Sequence, residues 1–235
     1  MNLVLLFPDD FVSEGLVRLS GRRWEHIRTV QRVKVGDELT VGLLEGKIGK
    51  GRLSKVEHDC VEMKVRLEGT PPPKLPLTLV LALPRPKVLN RVIAAATGLG
   101  VSRIYLVNAW RVEKSYWKSP RLSTENLLLQ QILGLEQAKD TRLPELHLRR
   151  LLRPFAEDEL PGLATNTRAL VAHPGALDPC PRNLEQPITL AVGPEGGFIP
   201  AEIELLVKTG FEPVDLGPRI LRVETAVVAL VARLF

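Results

Sequence analysis

Two stretches of the sequence decide the fold: residues 188–198 read ITLAVGPEGGF, and residues 211–221 read FEPVDLGPRIL. Each begins with apolar residues that predict a buried strand, and each ends in a loop rich in glycine and proline. A helix is predicted after each loop, over residues 200–208 and 222–235, and Pro200 suits a first helical turn. This repeated unit indicates an α/β fold with a mostly parallel sheet, whose ligand lies at the strand ends.

The chain upstream continues the same alternation of strands and helices. Residues 77–83 form an uninterrupted apolar run, as expected for a strand buried on both faces. Further strands are predicted at residues 103–107 and 167–172, and helices at residues 88–97 and directly after Ser123, which can cap the helix.

A proline run divides the chain, because residues 69–76 read GTPPPKLP and can continue neither a helix nor a central strand. We therefore predict a domain at residues 1–70 and a second domain at residues 77–235. Before the linker, short β-rich segments recur around a hairpin turn at Glu45 and Gly46. They lie at residues 3–7, 17–20, 38–44, 47–56 and 60–67.

One helix is predicted in the first domain, over residues 21–31. Its periodicity turns Trp24 and Ile27 inward and the three arginines Arg22, Arg23 and Arg28 outward. A small β-barrel with one helix is the size of known RNA-binding modules, although such barrels serve many other purposes.

Composition excludes several classes of protein. The chain is 45% hydrophobic and has two cysteines, which lie far apart, so neither a disulfide framework nor a zinc site is expected. No stretch has the length of a membrane span, and the apolar run near the N-terminus is too short for a signal peptide. We expect a cytoplasmic protein without a metal site.

The net charge of +5 is unevenly distributed. Residues 74–121 contain nine basic residues and one acidic residue, with tyrosines and tryptophans between them. Basic side chains neutralise phosphates and aromatic rings stack on bases, so this segment predicts a nucleic-acid surface. A solvated basic face with its aromatic side chains in the core fits the charge pattern equally well.

The two glycine–proline loops limit the choice of ligand. Gly197 is followed by Phe198 and Ile199, not by the lysine and hydroxyl residue of a phosphate-gripping loop, and the dinucleotide fingerprint is missing. No nucleophile elbow is present either. A backbone-lined pocket suits an apolar, purine-like ligand with one cationic centre. Either loop alone could be an ordinary tight turn, but the tandem arrangement favours a pocket.

The residues GPEGGF at 193–198 and LGPRILRVETA at 216–226 together resemble the signature of the ribosomal small subunit methyltransferase E family. These enzymes belong to the SPOUT superfamily and methylate uracil N3 in 16S ribosomal RNA. The chain departs from the family pattern at Gly98, where glutamate is common, and at Ala138, where cysteine or serine is usual. Other matching positions, in family order, are His26, Ile27, Val30, Arg32, Gly36, Asp37, Leu99, Gly100, Val101, Leu135, Glu136, Gln137, Arg142, Pro144, His173 and Pro174.

The resemblance implies a PUA-like RNA-binding β-barrel followed by a knotted SPOUT methyltransferase domain that works as a homodimer. It also implies S-adenosyl-L-methionine as cofactor and 16S ribosomal RNA or the small ribosomal subunit as partner. The residues expected to bind the cofactor are His173, Pro174, Gly193, Pro194, Glu195, Gly196, Gly197, Leu216, Gly217, Ile220, Leu221, Thr225 and Ala226.

Methylation of N3 requires loss of its proton, because the neutral imide has no available lone pair. Arg222 is the first candidate to stabilise the resulting anion, and Glu195 or Glu224 could accept the proton. Alternatively, Arg222 is a structural partner of Glu224 or of a helix end.

RNA contacts are expected from both domains, mostly with phosphates. The candidates are Arg22, Arg23, His26, Arg28, Arg32, Lys34, Lys87, Arg91, Arg111, Lys114 and Lys118. Any one of them could instead be a solvated surface charge. Two rival functions remain: a ribosome assembly factor that binds RNA without turnover, and a small-molecule α/β enzyme that uses phosphate or a nucleotide.

Overall fold

The computed structural model describes residues 2–31 and 33–235, and for residues 30 and 31 it describes the backbone alone. The chain forms two compact units. Unit 1 consists of Met1–Pro73 and Ile132–Leu143, and unit 2 consists of Lys74–Gln131 and Pro144–Phe235. None of the described helices has the length and apolarity needed to cross a bilayer.

Unit 1 is built on a six-stranded sheet with the order β1-β4-β5-β6-β3-β2. β1 pairs with β4 in parallel and the other neighbours are antiparallel. The strands are β1 (Val4–Leu6), β2 (Phe11–Ser13), β3 (Leu16–Ser20), β4 (Glu38–Leu43), β5 (Ile48–Val56) and β6 (Cys60–Gly69). Helix α1 (Gly21–His26) continues into a π-helical turn, Ile27–Gln31.

The predicted hairpin and the inward face of the helix are confirmed. Glu45 has a φ of 56°, and the amide of Leu43 donates to the carbonyl of Lys47 at 3.0 Å, which closes the turn between β4 and β5. Trp24 and Ile27 are buried in the core beneath the sheet. Alternation of apolar and polar residues along the strands therefore builds this core.

Unit 2 is built on a six-stranded parallel sheet with the order β12-β10-β11-β7-β8-β9. Its strands are β7 (Leu75–Ala82), β8 (Val101–Val107), β9 (Glu145–Arg149), β10 (Arg168–Ala172), β11 (Ile188–Val192) and β12 (Glu212–Val214). Its helices are α2 (Pro86–Gly98), α3 (Thr124–Ala138), α4 (Leu152–Pro154), α5 (Leu160–Ala164), α6 (Pro200–Lys208) and α7 (Val223–Leu234).

The predicted parallel sheet is confirmed: β11 is buried along its whole length, and β7 is buried from Leu77 to its end. The side chain of Ser123 accepts a bond from the amide of Asn126 at 3.2 Å, as its predicted capping role requires. The sequence patterns missed β2, the edge strand β9 and the helical stretch that links α4 to α5 through a π-helical turn.

The last turns of α3 do not belong to the second unit. Ile132 and Leu135 pack against Leu3 and Leu5, and the segment Ile132–Leu143 is grouped with unit 1. A fully buried leucine or isoleucine contributes roughly 1.5–3 kcal/mol, so these contacts tie the segment firmly. This grouping differs from the prediction of an uninterrupted second domain over residues 77–235.

The strand order of unit 2 determines where a ligand can bind. β11 lies between β7 and β10, and β12 pairs with the outer edge of β10. The carboxyl ends of β10, β11 and β12 therefore meet at one edge of the sheet, which is where open parallel sheets bind their ligands.

Candidate active site

A cavity of about 300 Å³ lies at the carboxyl ends of β10, β11 and β12. One face of α7 closes it, because Val223, Ala226 and Leu230 follow one another at helical spacing. Eleven of the residues predicted to act in binding or catalysis line it: His173, Pro174, Gly193, Pro194, Glu195, Gly197, Leu216, Ile220, Leu221, Arg222 and Ala226. The expectation that the two glycine–proline loops line one pocket is confirmed.

Three residues expected to bind the cofactor are not in the lining: Gly196, Gly217 and Thr225. Other residues line the cavity that the sequence did not single out: Ala172, Val192, Val214, Asp215, Arg219, Val223 and Leu230. Most of these lie at strand ends or on the buried face of α7. Those at the strand ends could have been chosen as candidates from the sequence, because each one lies at or near the end of a predicted strand.

The first loop, residues 193–198, folds tightly on itself. A Cβ atom on Gly193 would lie 2.9 Å from the backbone nitrogen of Phe198 and 3.1 Å from atoms of Gly197, so no larger residue fits without a backbone shift. Gly197 has a φ of 71°, and its amide donates to the carbonyl of Pro194 at 2.7 Å. Glycine is required at both positions, for space and for the left-handed backbone respectively.

Neighbouring segments anchor the first loop. The backbone amide of Arg85 donates to Glu195 Oε1 at 2.9 Å, and the guanidinium of Arg111 donates to the carbonyl of Gly196. Directly after the loop, the buried carboxylate of Glu202 accepts the amide of Ile199 at 3.0 Å and the amide of Trp110 at 2.7 Å. Hydrogen bonds from Arg85 and Arg111 thus hold the first loop itself, and Glu202 holds the residue that follows it.

The second loop, residues 216–222, is far more exposed. The amide of Gly217 donates to Asp215 Oδ1 at 3.2 Å, and Gly217 has a φ of 125°, which explains the glycine. Beyond it, residues 218–222 are exposed, and the side chain of Ile220 keeps 85% of its accessible surface. The loop ends at Arg222, the N-cap residue of α7. Its carbonyl accepts the amides of Thr225 and Ala226 at 2.9 and 2.8 Å.

A third wall is formed after β10. The amide of His173 donates to the carbonyl of Val214 at 3.0 Å, which joins the end of β10 to the end of β12. Asp215 is fixed on both sides, because its amide donates to Asp178 and its carbonyl accepts the amide of Cys180. The backbones of His173 and Asp215 are therefore fixed, and both residues add polar groups to a lining that also contains the charged residues Glu195, Arg219 and Arg222.

The three catalytic candidates differ in position. Arg222 and Glu195 both line the cavity, whereas Glu224 does not. Glu224 Oε1 lies 3.9 Å from Arg91 Nη1 on α2. The Arg222 side chain has no hydrogen bond or ion pair with any described residue, so the alternative that it pairs with Glu224 is not supported.

In unit 1 the structure corrects the predicted outward position of one arginine among the candidate RNA contacts. Arg23 does not point outward: its guanidinium forms two hydrogen bonds with Asp10, at 2.5 and 2.6 Å, and its side chain is 16% exposed. It also donates to the carbonyl of Leu5 and lies over the ring of Phe7. An arginine with these contacts serves the fold, because phosphate binding would have to break a buried ion pair.

The other predicted contacts of unit 1 vary in availability. Arg22 forms a two-pronged ion pair with the buried carboxylate of Glu136, at 2.9 and 3.1 Å. Burial lowers the pKa of His26, which disfavours the charged imidazolium that would attract a phosphate. Arg28 and Lys34 are exposed, and Arg32 lies outside the described residues.

All five predicted contacts of unit 2 are exposed: Lys87, Arg91, Arg111, Lys114 and Lys118. Arg111 also contacts the first loop and Arg91 lies near Glu224, so these two have structural partners as well. The aromatic residues between them are divided. Tyr105 is buried and Trp117 is half-buried, whereas Trp110 is exposed.

Comparison with known proteins identifies the class. The sequence model of a family described as RNA methyltransferase domain matches residues 71–235. The ribosomal RNA small subunit methyltransferase E of Treponema pallidum is 33% identical over 99% of this chain and 90% of its own length. The chain belongs to the ribosomal RNA small subunit methyltransferase E family.

Solved structures show the same fold. A methyltransferase from Legionella pneumophila, in complex with the cofactor SAM (S-adenosylmethionine), has a TM-score of 0.74 and 26% identity, and the match covers 99% of this chain and 96% of that one. The ribosomal RNA small subunit methyltransferase E of Neisseria gonorrhoeae, bound to S-adenosyl methionine, has a TM-score of 0.76 and 24% identity over 98% and 95% of the two chains.

Proposed function

We propose that this protein uses S-adenosylmethionine to methylate N3 of a uridine in 16S ribosomal RNA. The observation that carries the proposal is the cavity at the ends of β10, β11 and β12, where the two signature loops meet. The name of the Treponema relative and the cofactor of the Legionella protein support it.

The cavity suits the chemistry of S-adenosylmethionine. Val192, Val214 and Leu230 give it an apolar lining, which favours a purine ring, and the bare backbone at Gly193 allows close approach of polar ligand atoms. Glu195 and Asp215 line the same space, and their negative charge favours a cationic sulfonium. When bound, the cofactor supplies an electrophilic methyl group.

Arg222 and Glu195 are the residues we assign to the uracil. Arg222 lines the cavity, and its guanidinium has no hydrogen bond or ion pair with a described residue, so it would be available to stabilise negative charge on a uracil oxygen. Glu195 Oε1 is held by the amide of Arg85, so the carboxylate is oriented as it accepts the N3 proton, directly or through water. Glu224, which lies outside the lining and near Arg91, is the weaker candidate.

We further propose the finer features of the fold that the family resemblance implies. Unit 1, with its six strands and short helix, would be a PUA-like RNA-binding module. In unit 2 the chain after β11 would thread into a knot, consistent with the central place of β11 and with α7 packed on α2. The working form would be a homodimer, which light scattering on the purified protein tests.

RNA binding would use the exposed basic residues of both units. Arg28 and Lys34 in unit 1 and Lys87, Lys114 and Lys118 in unit 2 are exposed. Each should act through phosphate charge, so replacing one should weaken binding and reduce its salt dependence without changing which nucleotide is modified.

Two measurements test the function together. Calorimetric titration with S-adenosylmethionine measures cofactor binding, and mass mapping of ribosomal RNA from cells lacking the gene locates the methyl group. Binding together with loss of one 3-methyluridine is the expected result. Cofactor binding without a lost methyl group would refute the assigned substrate, and no binding would favour an assembly factor without turnover.

A further inference from the structure

The turn at residues 108–112 presents a tryptophan to solvent. The side chain of Trp110 keeps 79% of its accessible surface, and it is the exposed member of the aromatic residues in the basic segment 74–121. Trp117 in contrast is half-buried, and its indole nitrogen donates to Asn108 Oδ1 at 2.8 Å. An indole in this position adds little hydrophobic stabilisation to the fold, so its aromatic surface is free to contact a ligand.

The turn is bonded to the loop that lines the cavity. The amide of Trp110 donates to Glu202 Oε1 at 2.7 Å, and the other oxygen of Glu202 accepts the amide of Ile199. The next residue, Arg111, donates to the carbonyl of Gly196. The amide of Val112 closes the turn on the carbonyl of Ala109 at 3.0 Å. These bonds hold the backbone of Trp110 in a defined relation to the first loop.

The proposed reaction creates a need for such a residue. N3 lies on the Watson–Crick edge of uracil, so the target base must be unpaired when it reacts, and unpairing costs stacking energy. An aromatic face on a turn that is bonded to the first loop can replace part of that stacking, and the exposed Lys114 and Lys118 that follow the turn can hold phosphates.

We propose that Trp110 stacks on a base of the RNA bound at this site and is therefore a substrate-recognition residue. Glu202 is the positioning residue that fixes the turn to the first loop. The proposal rests on the proposed function, because it names how the same site grips its RNA.

The test uses Trp110→Ala and Trp110→Phe in the full chain, with Trp117→Phe as the matched control. Filter binding with an unmethylated transcript of small-subunit ribosomal RNA measures affinity. Trp110→Ala should weaken binding by about 5- to 150-fold, the range for loss of one stacked base, whereas Trp110→Phe and Trp117→Phe should stay close to wild type. S-adenosylmethionine affinity should not change in any of them.

Fluorescence with excitation at 295 nm gives an independent readout. Acrylamide should quench a large part of the emission of the free protein, RNA should protect that part, and Trp110→Phe should lack it. Wild-type RNA affinity in Trp110→Ala, or an equal loss in Trp110→Ala and Trp110→Phe, would overturn the proposal. So would protection from acrylamide without RNA, since a second copy of the chain would then cover the indole.

These outcomes are distinct from failure of the proposed function. A wild-type protein that binds no S-adenosylmethionine would refute the methyltransferase assignment whatever Trp110 does. A wild-type protein that binds cofactor and RNA, and whose RNA affinity is insensitive to Trp110, would refute the stacking proposal alone.

Discussion

The two loops that line the cavity have similar sequences and different surroundings. The first, residues 193–198, is fixed by Arg85, Arg111 and its own turn, and Gly193 and Phe198 are buried. The second, residues 216–222, is exposed over most of its length and is held at its two ends, by Asp215 and by the start of α7.

This difference means that the fold itself orders the first loop, whereas a bound ligand would have to order the second. The first loop is already in place before a ligand binds, so changes to it should alter stability and binding together. The second loop leaves Ile220 and Arg222 in solvent, so changes to it should alter binding or turnover while stability stays the same.

The largest effect is expected at Arg222. Arg222→Ala should lower turnover by about 10²- to 10³-fold, the usual cost of losing one donor to a developing anion, while leaving S-adenosylmethionine affinity within about twofold. Single-turnover kinetics and calorimetry separate the two quantities. Arg182→Ala, an exposed arginine outside the cavity lining, is the control. An equal loss of cofactor binding and turnover would refute the catalytic role.

Gly193→Ala should act through the fold as well as the pocket. Its methyl group would meet the backbone of Phe198, and overpacking of this kind costs about 1–3 kcal/mol. We expect the free energy of unfolding to fall by that amount and S-adenosylmethionine affinity to fall by about 10- to 100-fold. In Gly162→Ala, where a Cβ atom meets nothing within 4 Å and the residue lies in α5, neither quantity should fall, because alanine is a better helix former than glycine. Unaltered stability in Gly193→Ala would contradict the inference that the first loop is already ordered before a ligand binds.

Glu202→Ala should loosen the first loop from one side. It leaves the amides of Ile199 and Trp110 without an acceptor, which costs about 1–3 kcal/mol when the groups stay buried. Urea unfolding should show this loss, and RNA affinity should fall several-fold. Glu204→Ala on the exposed face of α6 is the matched control, and a loss of similar size there would show that Glu202 has no special role.

The smallest effect is expected at Ile220. Ile220→Ser should change the free energy of unfolding by less than about 0.5 kcal/mol, because the side chain is exposed in the free protein. Its affinity for S-adenosylmethionine should nevertheless fall by about 3- to 10-fold, as ligand burial of the side chain is lost. A stability loss as large as that of Gly193→Ala would refute the inference that the second loop, unlike the first, does not contribute to the stability of the fold.

The sequence predicted those parts of the fold that depend on local pattern. β11 and α6 have their predicted bounds, because an apolar run and a proline at the first helical turn mark them clearly. The edge strand β9 was missed because its residues ELHLR carry charged ends and no continuous apolar run. Its strand conformation depends on pairing with β8.

Contacts between residues distant in sequence could not be predicted. The ion pair of Arg23 with Asp10 reverses the predicted outward position of that arginine. The bond between Trp110 and Glu202 joins residues separated by 92 positions, so no local pattern marks it. The two loops of the cavity could be predicted from the sequence. The contribution of Val192, Val214 and Asp215 to one shared cavity could not, because it depends on the sheet bringing three strand ends together.

The most direct test of the central claim is transfer of a labelled methyl group from S-adenosylmethionine to small-subunit ribosomal RNA that lacks the modification, followed by mass spectrometry of the product nucleoside. We expect label in 3-methyluridine at a single position with the wild-type protein and strongly reduced label with Arg222→Ala. Label on another atom or nucleoside, or none on either naked RNA or the small subunit, would contradict that claim.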